Sequence, residues 1–379
     1  MTQQKVKLIA TSAMGLESIV ANEVRNLGYD PQVENGKVIF EAGIEAIPRC
    51  NLWLRVADRV KIVIGEGKVE TFDELFEMTK ALPWEKYIPE DGAFPVIGKS
   101  QKSKLFSVSD CQAIVKKAIV DRLKLKHGIA YRMPETGATY KVEVALLKDI
   151  ATLTIDTSGV GLHKRGYRVG QGEAPLKETL AAALVMLTNW EPDEILIDPF
   201  CGSGTIPIEA ALIGQNIAPG FNRSFASEEW DFIRKDAWDL AFDEAEQLAN
   251  YDQPLNIIGS DINHKMIEIS EKNALEAGLS DLITWKQMQL KDLSIKGENG
   301  YLIGNPPYGE RLEDTEYVIN LYRTLGEKMT KHESWSVYIL TSYKDFEKVY
   351  GKKATKRRKL FNGFIETQYY QYFGRKVKS

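Results

Sequence analysis

The second half of the chain alternates short, uninterrupted apolar runs with longer amphipathic ones. EILIDPF, NIIGSDI, LITWKQM, YLIG and SWSVYILTS are interleaved with LKETLAAALVML, TIPIEAALIG, HKMIEISEKNALEAGL and YVINLYRTLGEKMTKH. An apolar run of about four to eight residues without alternation fits a strand buried on both faces, and its alternation with helices fits a parallel sheet covered on both sides. The last such segment, KRRKLFNGFIETQYYQYF, carries Asn362-Gly363 between two strand-like runs and predicts a type I′ hairpin.

The first half has a different rhythm. KVKLIAT, PQVENGKVIF, VKIVIGEGKV and GAFPVIGKSQ read as single strands, with helices at Leu16–Leu27, Ile44–Leu52 and TFDELFEMTKAL, the last capped by Thr71. SVSDCQAIVKKAIVDRLKLKHG follows as a helix, and TYKVEVALLKDIATLTIDTS as two strands joined at Lys148 and Asp149. This is an α+β pattern, and the change of character places a boundary near residues 160–172. A length of 379 residues accommodates two domains with a small extra module.

With 44% hydrophobic and 27% charged residues, the composition excludes disorder, collagen and coiled coil. No apolar stretch reaches the roughly 18–20 residues of a membrane helix, and the N-terminal segment lacks a signal-peptide core, so a cytoplasmic protein is expected. Cys50, Cys111 and Cys201 are too scattered for a disulfide framework or zinc spacing, and no two of the four histidines are four residues apart, so no metal is expected. The net charge of −4 conceals two basic runs: residues 344–379 hold eleven Lys or Arg against three Asp or Glu, and residues 99–126 hold eight against two. Either run alone has an ordinary reading as a solvated helix face or a charged edge strand. Together they point to a polyanionic partner.

Three motifs carry chemistry. Asp198-Pro199-Phe200-Cys201-Gly202-Ser203-Gly204-Thr205 lies where a strand ends and a helix begins, the place where doubly wound sheets bind ligands. It lacks both the Lys of a phosphate-cradling loop and the G-x-G-x-x-G spacing. Asp261 follows the next strand, where a carboxylate can accept both hydroxyls of a ribose, although Asp there also caps helices. Asn305-Pro306-Pro307-Tyr308 follows YLIG. Two prolines end a strand, and the turn sets the Asn305 amide oxygen, the Pro306 carbonyl and the Tyr308 ring side by side. The two oxygens can accept hydrogen bonds from an exocyclic amine while the ring stacks on its base.

In this order the motifs resemble class I S-adenosylmethionine-dependent methyltransferases that modify amino nitrogens. LHKRGYRVGQGEAPLKETLAAALV, IAPGFNRSFASEEW and NPPYGERL further resemble the THUMP-domain RNA methyltransferases that make N2-methylguanosine, above all those acting on large-subunit ribosomal RNA. The resemblance implies a Rossmann-like α/β domain at 161–379, with a mixed seven-stranded sheet and a C-terminal hairpin. It also implies a ferredoxin-like segment at 1–65 and a THUMP RNA-binding domain at 66–160. S-adenosylmethionine is the implied cofactor, held by Asp198, Gly202, Gly204, Thr205 and Asp261. Phe200 and Ile262 are candidates for the adenine pocket, with core packing as the alternative. Gln287 stands where many relatives place an acidic residue on the adenine amine. Some ribosomal relatives continue into a second methyltransferase domain, and a dual activity is not expected of this chain.

Asn305, Pro306, Pro307 and Tyr308 are the expected catalytic turn. Lys99, Lys102, Lys104, Lys116, Lys117, Lys356, Arg357 and Arg358 are the expected RNA contacts, and Arg311 either contacts phosphate or braces the loop. Cys201 reads as a small turn residue, since amine methylation needs no thiol nucleophile. Lys177 and Glu178 lie near the methionine end of the cofactor in this reading. The acidic stretch from Glu228 to Asp252, with Trp230 and Trp238, reads as packing on or covering the sheet. Competing functions are a transfer-RNA guanine-N2 enzyme, a DNA or protein amino-group methyltransferase, and an RNA-binding factor with a decayed catalytic domain.

Overall fold

A computed structural model describes residues 5–172, 175–309 and 315–375. The backbone forms two compact units. One holds the chain up to Ser12, Val20–Leu162 and Ser224–Glu244; the other holds Ala13–Ile19, His163–Arg223 and the chain from Ala245 onward.

The first elements are β1 (Lys5–Thr11), α1 (Glu17–Asn26), β2 (Gln32–Glu34), β3 (Lys37–Gly43), α2 (Ala46–Trp53), β4 (Arg59–Lys68) and α3 (Phe72–Ala81). They continue with β5 (Val96–Gln101), α4 (Val108–His127), β6 (Lys141–Leu147) and β7 (Ile150–Asp156). Their strands form one seven-stranded sheet in the order β2-β3-β1-β4-β7-β6-β5. β4 joins its two halves: Arg59 to Ile62 pair with β1, and Lys61 to Lys68 pair with β7. The division expected between residues 65 and 66 falls inside this strand.

Local chemistry explains several boundaries. Thr71 caps α3 by a reciprocal pair of bonds, its hydroxyl accepting the Glu74 N–H at 3.2 Å and the Glu74 carboxylate accepting the Thr71 N–H at 3.2 Å. Lys148 and Asp149 form the two-residue turn between β6 and β7, both at positive φ (52° and 64°). The Asp149 carboxylate accepts the Lys104 N–H at 2.7 Å, which helps hold that turn. PQVENGKVIF, expected as one strand, is a hairpin, with β2 and β3 paired from Glu34↔Lys37 outward. The Asn35-Gly36 turn signal between them outweighs the apolar run.

The remaining elements are α5 (Glu178–Met186), β8 (Ile195–Asp198), α6 (Thr205–Gly214), α7 (Lys235–Leu248), β9 (Asn256–Asp261), α8 (His264–Glu276), β10 (Ile283–Gln287) and β11 (Gly300–Gly304). They end with α9 (Thr315–Met329), β12 (Trp335–Thr341), α10 (Phe346–Tyr350), β13 (Lys356–Asn362) and β14 (Ile365–Tyr372). The second sheet runs β10-β9-β8-β11-β12-β14-β13, parallel except where β14 pairs antiparallel with β12 and β13. From β8 the chain winds outward through β9 and β10, then returns to β11 on the other side. The switch point therefore lies between β8 and β11, where a crevice opens beyond the carboxyl ends of the strands. Leu302, Val337, Ile339, Tyr322 and Tyr370 are among the buried residues that pack one face of this sheet.

Two expectations change here. The final hairpin turns on Gly363 and Phe364, because Asn362 still pairs with Ile365, and only Gly363 has positive φ (63°). That is the type II′ pattern rather than type I′. The Ser224–Glu244 segment belongs to the first unit instead of covering the second sheet. Trp230 stacks on Tyr140 at 4.9 Å and donates its indole N–H to the Thr139 carbonyl at 3.0 Å. Glu244 takes a bidentate pair from Arg49 at 2.6 and 2.8 Å. Large aromatic rings with a polar tip settle where both demands are met, and the first unit meets both.

Candidate active site

The crevice is built from the ends of β8, β9, β10 and β11. A cleft of about 410 Å³ is bordered by Pro199, Phe200, Asp261, Ile262, Met288 and Gln289, with Asn305 and Pro307 at one side. A smaller recess of about 150 Å³ adjoins Asp198, Cys201, Gly202, Ser203 and Thr205. Phe200 and Asn305 border both cavities, so the turns after β8 and β11 meet there.

The turn after β8 is fixed from within. Phe200 N–H donates to Asp198 Oδ1 at 3.0 Å, and Gly202 N–H donates to Asp261 Oδ2 at 3.1 Å. Gly202 has φ of +52° with open space where a Cβ would stand, which leaves its backbone approachable from the crevice. Gly204 serves a different need. At φ +83° it caps α6, and a Cβ there would lie 2.7 Å from the Trp285 ring and 2.8 Å from Ser270. The structure thus places Gly204 against the protein interior. Asp198 is buried, and desolvation, opposed by the Phe200 N–H and reinforced by Asp261, pushes its carboxyl up to about 8. Burial also holds the Cys201 thiol well above its ordinary range, which suits a turn residue.

Sequence reasoning missed the brace behind this turn. Arg168 donates to Glu178 at 2.7 Å, to the Ser203 and Thr205 hydroxyls at 2.9 Å each, and to the Leu176 carbonyl at 3.1 Å. Glu178 is buried, so its place in the APLKE segment is to anchor Arg168. Lys177 stands at the N-cap of α5. Asn273, fully buried on α8, adds a bond to the Ser203 carbonyl at 2.9 Å. A guanidinium between two distant hydroxyls leaves no local spacing signal.

Gln287 sits at the end of β10, its amide donating to the Ile262 carbonyl at 3.4 Å, while the adjoining Met288 and Gln289 face the cleft. Ile262 is half exposed at the cleft rather than packed in the core.

After β11, the Tyr308 hydroxyl donates to Asn305 Oδ1 at 2.6 Å and accepts from the Asn362 amide at 3.2 Å. Tyr322 donates to the Pro307 carbonyl at 2.8 Å and is itself joined to Thr341. Among the described residues no hydrogen bond ends on the Pro306 carbonyl. The Asn305 oxygen retains a second lone pair, so it remains an acceptor at the crevice, with the Pro306 carbonyl beside it in the turn. Arg311 lies outside the described residues.

The basic runs are partly paired. Lys99 bonds Glu143 at 2.9 Å, Lys104 bonds Glu70, and Lys116 bonds Glu135 at 2.7 Å while lying 3.5 Å from the centre of the Phe94 ring. Lys102 and Lys117 have no acidic partner among the described residues, and Lys117 faces the Phe76 ring at 5.6 Å. On β13, Arg357 pairs with Glu347 at 3.6 Å, Arg358 donates to the Gly15 carbonyl and the Ser18 hydroxyl, and Lys356 is exposed. An exposed basic face of α4 was expected, and Lys116 and Arg122 are instead tied to Glu135 and Glu85. Among the described residues no three potential metal ligands cluster, and no helix is long and apolar enough to cross a membrane.

Comparison with known proteins adds to this geometry. Residues 165–371 match the RMKL-like methyltransferase domain, residues 7–61 the RlmL ferredoxin-like domain and residues 69–156 the THUMP domain. The Bacillus subtilis protein YpsC, provisionally named an RNA methyltransferase, is 62% identical over 98% of this chain and 97% of its own. The ribosomal RNA large subunit methyltransferase K/L of Syntrophotalea carbinolica is 36% identical over 95% of this chain; the chain spans about half, 52%, of that relative's length. A Listeria monocytogenes crystal structure, described as a predicted N6-adenine-specific DNA methylase, is 64% identical with a TM-score of 0.95 over 98% of this chain and 97% of its own. SMU.472, provisionally named a methyltransferase and solved with SAH, is 49% identical with a TM-score of 0.95 and full coverage of both chains.

Proposed function

The chain belongs to the RMKL-like methyltransferase family and uses S-adenosylmethionine, and from that premise we propose that it methylates the N2 amine of a guanine in large-subunit ribosomal RNA. The observation that carries the reading is the turn after β11: Asn305 borders both cavities, and its amide oxygen has the Pro306 carbonyl as the next acceptor along the turn and the Tyr308 hydroxyl bonded to it. The THUMP match favours RNA, and the K/L relatives' name supplies the ribosomal target. The working division is a ferredoxin-like segment at 1–65, a THUMP domain at 66–160 and the catalytic domain at 161–379.

The crevice fits the cofactor. Asp198 is a desolvated carboxylate for which a cationic group nearby relieves the cost of ionisation, Gly202 opens toward the crevice, and Asp261 stands at its rim. When bound, the cofactor supplies an electrophilic methyl group on a sulfonium. Asp198, Gly202, Thr205 and Asp261 would hold it, with Phe200, Ile262 and Met288 against its base. The guanine amine is a poor nucleophile because its lone pair is delocalised into the ring. Acceptors on both amine protons orient that lone pair, an effect of position rather than of proton abstraction. The released proton passes to water, so no general base is required. The Tyr308 hydroxyl fixes the Asn305 amide, and its ring is the assigned stacking surface for the base, which must be flipped or unpaired to reach the turn.

The test is transfer of labelled methyl groups to ribosomal RNA and, separately, transfer RNA from cells lacking the gene, followed by nucleoside analysis. Label in N2-methylguanosine of large-subunit RNA is the expected result. In the same assay Asn305→Ala loses roughly 100- to 1000-fold in kcat, the scale of a preorganised hydrogen-bonding group at a reacting centre, with cofactor affinity retained. Full activity in that variant overturns the mechanism. A second reading has specific support: two acceptors suit any planar amine, including adenine N6, the target named for the Listeria protein. Label in DNA N6-methyladenine would establish it.

A further inference from the structure

The hairpin of β13 and β14 ends on a fully exposed aromatic ring. Phe364 is 107% exposed, the most exposed of the large apolar side chains among the described residues. A ring in water at a two-residue turn costs hydrophobic free energy, and Asn, Asp or Ser would serve the turn as well. Its place gives it a use. Asn362, two residues before it, donates to the Tyr308 hydroxyl, which donates in turn to Asn305. Consecutive Cα atoms are about 3.8 Å apart, so the Phe364 Cα lies within about 8 Å of that of Asn362, which is bonded to the acceptor turn. Lys352, Lys353 and Lys356 are exposed along and before the same edge strand, and no acidic partner faces them among the described residues. A polyanion is the partner that this charge complements.

We propose that Phe364 stacks on a nucleobase adjacent to the target nucleotide in single-stranded or unpaired RNA, with β13 carrying the phosphate backbone away from the site. The assignment rests on the RNA reading above. It adds a substrate-binding residue on the hairpin that is distinct from the acceptor turn. Asn362 ties the hairpin to the turn through the Tyr308 hydroxyl, so a base held on Phe364 limits where its neighbour enters the crevice. Base-on-aromatic stacking tolerates every base, so Phe364 contributes affinity and position and leaves identity to the acceptor pair.

The experiment measures binding of a mixed-sequence single-stranded RNA of about 12 nucleotides by fluorescence anisotropy, together with binding of SAH, for the full chain. Phe364→Ala is expected to weaken RNA binding on the order of 10- to 100-fold and leave SAH affinity unchanged. Phe364→Trp retains RNA binding within about threefold, while Phe364→Leu, apolar but without a π face, behaves as the alanine variant. Unchanged RNA affinity in Phe364→Ala overturns the proposal. So does full retention by Phe364→Leu, which would make the contact merely apolar, or a shift in sedimentation with no effect on RNA, which would assign the ring to contact between copies. Methyl transfer to an atom other than guanine N2 would end the reading of the reaction and leave this binding result standing, so the two fail separately.

Discussion

Asp198 is a carboxylate that the fold buries with one backbone N–H as its local partner, and this gives it a signature in the free protein. Its folded pKa of about 8 stands far above the unfolded value near 3.9. Between those values the folded state holds a proton that the unfolded chain has released. Stability from this group is therefore complete below about pH 4 and is lost as pH rises through about 8, with a slope of at most about 1.4 kcal/mol per pH unit. Asp198→Asn should remove that slope, gain on the wild type toward pH 8 and bind S-adenosylmethionine more weakly. Thermal unfolding of both proteins from pH 5 to 9, with a cofactor titration, reads all three; parallel profiles would show that Asp198 stays ionised. The residues of this turn were legible as a motif because a Gly-rich strand-to-helix junction has a local spacing. Their division of labour was not. Gly204 owes its identity to Trp285, 81 positions away in the sequence, and Arg168 braces Ser203 and Thr205 from a segment with no motif of its own.

At the scale of elements, the apolar runs of the second half read directly as strands because burial on both faces erases alternation. Thr71 and the Lys148-Asp149 turn were equally legible, since capping and turn chemistry are local. The Ser224–Glu244 segment was not, because its partners Tyr140 and Arg49 are far off in sequence and pairwise packing leaves no periodic trace. Its attachment has a measurable consequence. Trp230 is 1% exposed, and Trp230→Ala should cost about 3–5 kcal/mol. The loss should fall on the first unit. Hydrogen exchange should show faster opening of β5, β6 and β7 while β8 and β11 keep their protection and the cofactor still binds. Uniform loss of protection across both sheets would mean that the two units unfold together.

Across the whole molecule, the two basic runs differ in how many of their charges already face a carboxylate among the described residues. The run at 99–126 reads as an exposed basic stretch because its acidic partners, Glu70, Glu85, Glu135 and Glu143, all lie outside it in sequence and beside it in space. A lysine already paired with a carboxylate releases few phosphate counterions, and each lysine that does neutralise a phosphate of single-stranded RNA contributes about 0.7 to the slope of log affinity against log salt. Replacing Lys99, Lys102 and Lys104 together by Ala should therefore lower that slope by only about 0.7, the contribution of Lys102. Replacing Lys352, Lys353 and Lys356 should lower it by about 2, because none of the three has an acidic partner to leave among the described residues. Titrations of single-stranded RNA between low and moderate salt would rank the two triple variants. The reverse order would mean that the paired lysines exchange their carboxylates for phosphate on binding, and would return the main RNA contact to the THUMP region.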